Sequence, residues 1–141
     1  MNMKSRFFLG VVLALFVTAS CSLSEDDSSP VSFVVVNIDS VVLPDVFRLG
    51  ETHDITIRFE KPSTCHTFSG FEVEPNLNVR TVNAVSAVIP NGDCVDLDAV
   101  FEEQVYRFRV TSNGSYVFKF FAGLDDNGVA YYLEHEVFVV E

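Results

Sequence analysis

After residue 30, the chain consists of short runs in which apolar and polar residues alternate. The clearest run is 54–60, in which Ile55, Ile57 and Phe59 alternate with polar residues. A period of two places every second side chain on the same face of a β-strand, so these three side chains are predicted to face a core. The runs 105–110 and 116–120 alternate in the same way. Their predicted inward residues are Tyr106, Phe108, Val110, Tyr116, Phe118 and Phe120.

The other strands are predicted from β-branched and aromatic content and from the turns between them. Clusters of Gly, Pro, Asn and Asp separate the apolar runs, and no helical periodicity is present in 31–141. The first strand contains polar residues and is predicted to bend near Asp39. The complete set of predicted strands is 31–42, 54–60, 68–74, 77–89, 105–110, 116–120 and 131–140.

The number and spacing of these strands indicate the fold class. About seven short strands with regular turn signals predict an all-β fold, an antiparallel β-sandwich. The stretch from Asn113 to Phe118 resembles the turn into the sixth strand of immunoglobulin-like domains, where a tyrosine, here Tyr116, often makes a corner hydrogen bond. Phe118 stands where antibody domains have a cysteine, and the chain has no Trp. The resemblance is therefore to bacterial immunoglobulin-like or fibronectin-like domains.

The N-terminal segment has the pattern of an export signal. Lys4 and Arg6 precede the apolar run 7–17, which has the length of a signal-peptide core (~7–15 residues) and is shorter than a membrane span of ~20 residues. Three small residues before Cys21 resemble the lipobox of bacterial lipoproteins, although the first is Thr where the commonest lipobox has Leu. The resemblance implies that Cys21 is lipidated and becomes the new N-terminus.

An acidic stretch follows the cysteine, formed by Ser24, Glu25, Asp26 and Asp27. It resembles the surface-export signal of Bacteroidota lipoproteins. The alternative is an ordinary solvated linker, and the lipoprotein would then face the periplasm. The predicted organisation is a signal peptide over 1–20, a lipidated acidic linker over 21–30 and one sandwich domain over 31–141. As a whole, the domain resembles small lipoproteins of flavobacteria, a group that implies no activity.

The charge of the exported part limits its partners. All twenty Asp and Glu residues follow residue 20, together with seven of the nine Lys and Arg residues, which gives residues 21–141 a formal charge of −13. Such a surface repels phosphate backbones, so nucleic acid is not an expected partner. The expected partners are the membrane, through the lipid anchor, and a protein or glycan. No cofactor is expected.

Cys65 and Cys94 remain as a pair once Cys21 carries lipid. Exported chains meet an oxidising compartment, which favours a disulfide between them. If successive strands run up and down, the segments 60–66, 90–103 and 122–130 share one end of the sandwich. The alternative is that the disulfide only replaces missing core in a small domain. The candidate binding residues gathered at this end are His66, Asp96, Asp98, Asp125, Asp126 and Asn127.

No residue set has the pattern of a catalytic site. Cys65 and His66 are adjacent, and neighbouring side chains of an extended segment point to opposite faces. Glycine-rich phosphate loops and the Gly-x-Ser-x-Gly pattern are missing from the sequence. Asp93, Asp96 and Asp98 offer the hard oxygen ligands that calcium prefers. Their spacing does not match an EF-hand, so no metal site is expected, with calcium as the alternative.

The function predicted from these observations is a lipid-anchored, non-enzymatic binding module exposed on the outer membrane surface. The alternative is an accessory or structural subunit of an envelope complex, and a third class is a small hydrolase. Asp39, Ser40 and Val41 also resemble the O-glycosylation acceptor of Bacteroidota, which makes Ser40 a possible glycosylation site. The first strand begins at the end that carries the two cysteines, so the lipid tether is predicted to emerge beside the candidate loops.

Overall fold

The computed structural model describes residues 30–90 and 92–141. The signal peptide, Cys21 and the acidic stretch Ser24, Glu25, Asp26 and Asp27 lie outside these residues, so the lipobox and the export signal stay predictions. In the described part of the chain, no helix has the length and hydrophobicity that a membrane span requires.

The described residues form nine β-strands. Their bounds are β1 Ser32–Val36, β2 Ile38–Val42, β3 Val46–Arg48, β4 Thr52–Glu60, β5 His66–Asn76, β6 Val79–Val88, β7 Phe101–Arg109, β8 Ser115–Leu124 and β9 Ala130–Val140. Six of them form a first sheet in the order β1, β6, β8, β9, β3, with β5 paired to β6. The other three form a second sheet in the order β2, β4, β7. The all-β prediction is confirmed.

The core contains residues of both sheets, and the alternation in the sequence identified its central members. Ile55, Ile57 and Phe59 of β4 are at most 1% exposed. Tyr116, Phe118 and Phe120, predicted to face inward on β8, are buried to the same degree. Phe108 on β7 and Val110, which directly follows β7, are also buried. Strands of this period therefore pack as predicted. The buried residues of the cluster are Val36, Ile38, Phe47, Ile55, Ile57, Phe59, Val82, Ala84, Phe108, Val110, Tyr116, Phe118, Phe120 and Val137.

The first predicted strand, 31–42, is divided into β1 and β2. β1 pairs with β6 of the first sheet, whereas β2 pairs with β4 of the second. The carbonyl of Asn37, between them, accepts a hydrogen bond from the backbone N–H of Glu60 at 2.9 Å. The chain therefore changes sheets at Asn37, and the predicted bend near Asp39 lies two residues away. β3, the other additional strand, has only three residues and is too short to show alternation.

Two of the strand pairings in the described residues are parallel. β6 runs parallel to β8, and β3 runs parallel to β9. The first case follows from the chain path: β7, which separates β6 from β8 in sequence, belongs to the other sheet. Two strands separated by one return strand point the same way. The sandwich is therefore mixed and has nine strands, where about seven antiparallel strands were predicted.

Tyr116 makes the corner contacts that the resemblance suggested. Its hydroxyl oxygen accepts hydrogen bonds from the backbone N–H groups of Thr111 at 3.2 Å and Ser112 at 2.9 Å. Burial raises the pKa of Tyr116, but its hydrogen bonds with these two residues outweigh burial and bring the pKa below its ordinary value. Burial also raises the pKa of Tyr106, against the opposing charge of Arg80. We call this region, at the start of β8, the tyrosine end.

Candidate functional site

The opposite end of the sandwich is closed by the predicted disulfide. Cys65 and Cys94 are bonded, with their Cα atoms 5.4 Å apart, which is an ordinary separation for a disulfide. A backbone hydrogen bond from Thr64 N–H to the Val95 carbonyl, 3.0 Å long, holds the same two segments together. The segment after β4 and the segment before β7 therefore form one stapled unit. We call this region the disulfide end.

An open cleft of about 440 Å³ lies beside this unit. Its lining comes from the β1–β2 junction, the end of β4, the start of β7 with the residues before it, and the β8–β9 hairpin. Residues of both sheets therefore meet around it. The lining residues are Asn37, Ile38, Asp39, Glu60, Asp98, Ala99, Phe101, Ala122, Tyr131 and Leu133. The cleft has both carboxylate and apolar walls, and small-molecule sites likewise combine apolar surface with a few polar groups.

Polar contacts hold two carboxylates of the cleft in place. The Asn37 side-chain amide donates a hydrogen bond to Glu60 Oε2 at 3.1 Å. Arg58 Nη1 lies 3.2 Å from Asp39 Oδ2, and its guanidinium group lies 4.2 Å from the centroid of the Phe101 ring. Both contacts leave further lone pairs of the carboxylates available to a ligand, since a carboxylate accepts about four hydrogen bonds.

Tyr131 presents an aromatic ring to the cleft. It is 51% exposed, and its ring edge lies against the backbone of Gly123 on the neighbouring strand. A Cβ atom at Gly123 would lie only 3.2 Å from Tyr131 Cε1, and Gly123 has a φ of +139° that disfavours other residues. The strand pairing also shifts register between Phe121 and Gly123, as at a β-bulge. The glycine and the bulge together make room for the ring.

The wall formed by residues before β7 contains a backbone position of unusual geometry. Ala99 has a φ of +52°, in the left-handed region that residues other than glycine rarely adopt. Neighbouring contacts hold the segment: Lys61 donates its backbone N–H to the Val100 carbonyl at 2.8 Å, and Lys61 Nζ lies 2.7 Å from Glu102 Oε1. Conformations of this kind persist only where the surroundings enforce them, and they cluster at binding sites.

Of the six candidate binding residues predicted from the sequence, Asp98 lines the cleft. His66 and Asp96 lie beside the disulfide instead. The His66 Nδ1 atom is 2.7 Å from the Ser63 hydroxyl, and Asp96 forms an isolated β-bridge with Ser63. Both are therefore placed on the stapled unit rather than in the cleft wall.

At the acidic tip of the β8–β9 hairpin, the Asp125 side chain stabilises the turn. Asp125 Oδ1 accepts hydrogen bonds from the backbone N–H groups of Asn127 at 2.8 Å and Val129 at 2.9 Å. Asp126 and Asn127 are exposed at the same tip, outside the lining of the cleft. Side chains of this kind commonly stabilise turns in this way. The structure thus gives Asp125 a local structural role.

Two further predictions concern metal and glycan attachment. Within 30–90 and 92–141, no three side chains of His, Cys, Asp or Glu are grouped so as to hold a metal ion. Asp93, Asp96 and Asp98 lie within that range, and calcium binding by them stays an untested alternative. Ser40 is exposed on β2, and its hydroxyl donates to Asp39 Oδ2 at 3.2 Å. A modifying enzyme has access to it, and its glycosylation stays a prediction.

The sequence pattern did not single out Asn37, Glu60 or Tyr131 as site residues. These residues come from separate strands, so only the three-dimensional pairing brings them together. One local signal was present: a polar residue within the apolar run 31–42 marks a place where a strand leaves its sheet. Gly123 pairs with the exposed Tyr131, eight positions later in the sequence. This pairing cannot be recognised without the register of the hairpin.

Comparisons with known proteins found no matching family model, no similar curated protein and no similar solved structure.

Proposed function

We propose that this protein is a lipid-anchored, non-enzymatic module on the outer membrane surface and that it binds a glycan in the cleft at the disulfide end. The observation that carries the proposal is the cleft itself, in which an exposed tyrosine ring faces fixed carboxylates on a covalently stapled frame. Pockets of this kind are usually largely formed before the ligand arrives.

The chemistry of the cleft suits a sugar. Carboxylate and amide oxygens of Asp39, Glu60 and Asn37 can accept hydrogen bonds from hydroxyl groups, and bonds to an ionised acceptor are stronger than neutral ones. The Tyr131 ring, 51% exposed in the cleft lining, offers a flat apolar surface for the C–H face of a pyranose. The cleft is open, so a long chain can cross it with its ends in solution.

The arrangement of the carboxylates favours binding over hydrolysis. Of the three carboxylates in the cleft lining, Asp39 is paired with Arg58 and Glu60 with the Asn37 amide, so polar contacts fix two of them in position. A glycosidase uses a pair of carboxyl groups, one of which donates a proton to the leaving oxygen. The immunoglobulin-like assignment of the sandwich belongs to the same proposal and is supported by the corner contacts of Tyr116.

Binding is tested with the purified full-length protein on an array of bacterial and host surface polysaccharides, followed by calorimetry with the best binder. Replacing Tyr131 with Ala is expected to weaken binding about tenfold or more, equivalent to ~1.4 kcal/mol. The matched control is Tyr132→Ala, because Tyr132 is the next residue, is 37% exposed and lies outside the cleft. Equal affinity of both variants, or no glycan bound at all, would contradict the proposal.

Surface exposure is tested separately with intact cells. External protease should degrade the protein together with a known surface marker, while a periplasmic marker stays intact. A protein that survives this treatment would be periplasmic. Crosslinking that recovers one dominant outer-membrane protein, with no glycan binding, would support the accessory-subunit alternative.

A further inference from the structure

Part of the outer face of the first sheet is exposed and apolar. Its most exposed member is Phe33 on β1, at 66%, and Val35 on the same strand is 44% exposed. Val31, just before β1, is 50% exposed, and Ile89, just after β6, is 49% exposed. We call these four residues the apolar patch. Contiguous apolar surface on an exported protein marks a contact with another apolar surface.

The register of β1 shows that the patch faces away from the core. Val34 packs against the core and Val36 is buried in it, and they alternate with Phe33 and Val35 along the strand. Phe33 lies opposite Ala87, and the outward position is therefore shared by neighbouring apolar residues of β6. The patch is therefore a continuous part of the outer face of the sheet.

Charge is unevenly distributed along this face of the sheet. The segments 31–36 and 84–89, and the start of β5 from 66 to 70, contain no Asp, Glu, Lys or Arg. The other half of the same strands and their neighbours carries charge, and its exposed acids include Glu72, Glu74 and Glu134. The apolar patch thus occupies the uncharged half, at the disulfide end, in a protein that is otherwise strongly acidic.

The position of the tether indicates what covers the patch. The described part of the chain begins at residue 30, and Val31, the next residue, belongs to the patch. The linker from Cys21 therefore joins the domain beside the patch. The linker 21–30 can extend about 33 Å at ~3.3 Å per residue. If Cys21 carries lipid, Val31 therefore stays within about 33 Å of the bilayer surface. A tether of this length raises the effective concentration of the surface to the millimolar range, so that even weak docking is populated.

We propose that the apolar patch docks on the lipid bilayer that holds the anchor, with Phe33 and its neighbours in the interfacial region. This inference rests on the lipidation of Cys21 in the proposed function. Apolar side chains gain free energy there in proportion to the area they bury. An acidic surface is repelled by anionic headgroups, which favours docking through the half of the sheet that has no acid. The second sheet then faces away from the membrane, and the cleft between the sheets stays open to ligand.

Tryptophan fluorescence tests the docking directly, because the chain contains no Trp. Phe33→Trp places a single reporter in the patch of the full-length, lipidated protein. Phe138→Trp is the matched control, because Phe138 is 61% exposed on β9 and pairs with Ser115 at the tyrosine end. Both variants are reconstituted in dioleoylphosphatidylcholine vesicles, with and without bromine on the acyl chains.

The expected result is a shift of the Phe33→Trp emission to shorter wavelength and loss of most of its intensity in brominated vesicles. The Phe138→Trp emission should be unchanged in both. A Phe33→Trp emission typical of water, or a shift without bromine quenching, would overturn the proposal; the latter would show that a second protein copy covers the patch. Flotation of the vesicles tests separately whether the protein is anchored to them. Protein that fails to float contradicts the lipidation, whereas floating protein with unquenched Trp overturns the docking alone.

Discussion

The two ends of the sandwich are closed in different ways. At the tyrosine end, the Phe47 ring centroid lies 5.4 Å from that of Phe108 and 5.9 Å from that of Phe118. Arg80 lies 5.1 Å from the centroid of the Tyr116 ring. Rings and backbone hydrogen bonds fill this end without a covalent bond. The disulfide end has a covalent staple, and the cleft of about 440 Å³ lies beside it.

This difference shows how a small domain can keep an opening. Aromatic packing removes apolar area from water and contributes about 25 cal/mol per Å². A cleft reduces the buried apolar area, because its walls face solvent, and the domain loses the corresponding stabilisation. The Cys65–Cys94 bond restrains the unfolded chain instead, so it stabilises the domain without filling the space that a ligand needs. The alternative of a purely structural disulfide and the binding proposal are therefore compatible.

The largest expected effect is the loss of the staple. Replacing both Cys65 and Cys94 with Ala should lower the free energy of unfolding by about 3.6 kcal/mol, because the bond closes a loop with a sequence separation of 29. Urea unfolding followed by circular dichroism measures this. Amide hydrogen exchange should rise most in the segments 61–65 and 93–100. An equal rise at both ends would contradict the separation of the two ends.

At the tyrosine end, the largest single polar effect is expected from the corner. Tyr116→Phe removes the acceptor of two backbone N–H groups, and the free energy of unfolding should fall by about 1–2 kcal/mol. Tyr132→Phe is the control, since its exposed ring makes no corner contact, and it should change stability by less than about 0.5 kcal/mol. Equal values for both variants in urea unfolding would show that the corner contacts contribute little.

The fold could be predicted from the sequence where burial follows a local period. Ile55, Ile57 and Phe59 alternate because one face of β4 packs on the core, and a period of two is visible in a single strand. The division of 31–42 into strands of different sheets was not predictable, because it depends on which partner each half finds. The parallel pairing of β6 with β8 was missed for the same reason. Strand direction is a property of the chain path.

The sequence predicted the disulfide, but it did not predict most of the residues that line the cleft beside it. The pairing of Cys65 with Cys94 was predicted from the expected export of the chain and the up-and-down order of strands, and the structure contains this disulfide. The cleft depends on Gly123 making room for Tyr131, which requires the register of β8 against β9. Acidic loop residues were the visible signal, and of these only Asp98 reaches the cleft lining.

The smallest expected effect concerns the tip of the β8–β9 hairpin, beside the cleft. It distinguishes residues that stabilise the turn from residues that contact the ligand. Asp125→Ala removes the acceptor of two exposed backbone hydrogen bonds, and the free energy of unfolding should fall by about 0.5–1 kcal/mol. Asp126→Ala, one residue further on, is the matched control and should have an effect below about 0.5 kcal/mol. Neither variant should change glycan affinity, because neither residue lines the cleft. A loss of affinity in Asp126→Ala, with unchanged stability, would extend the binding surface to the acidic tip and show that the cleft alone does not recognise the ligand.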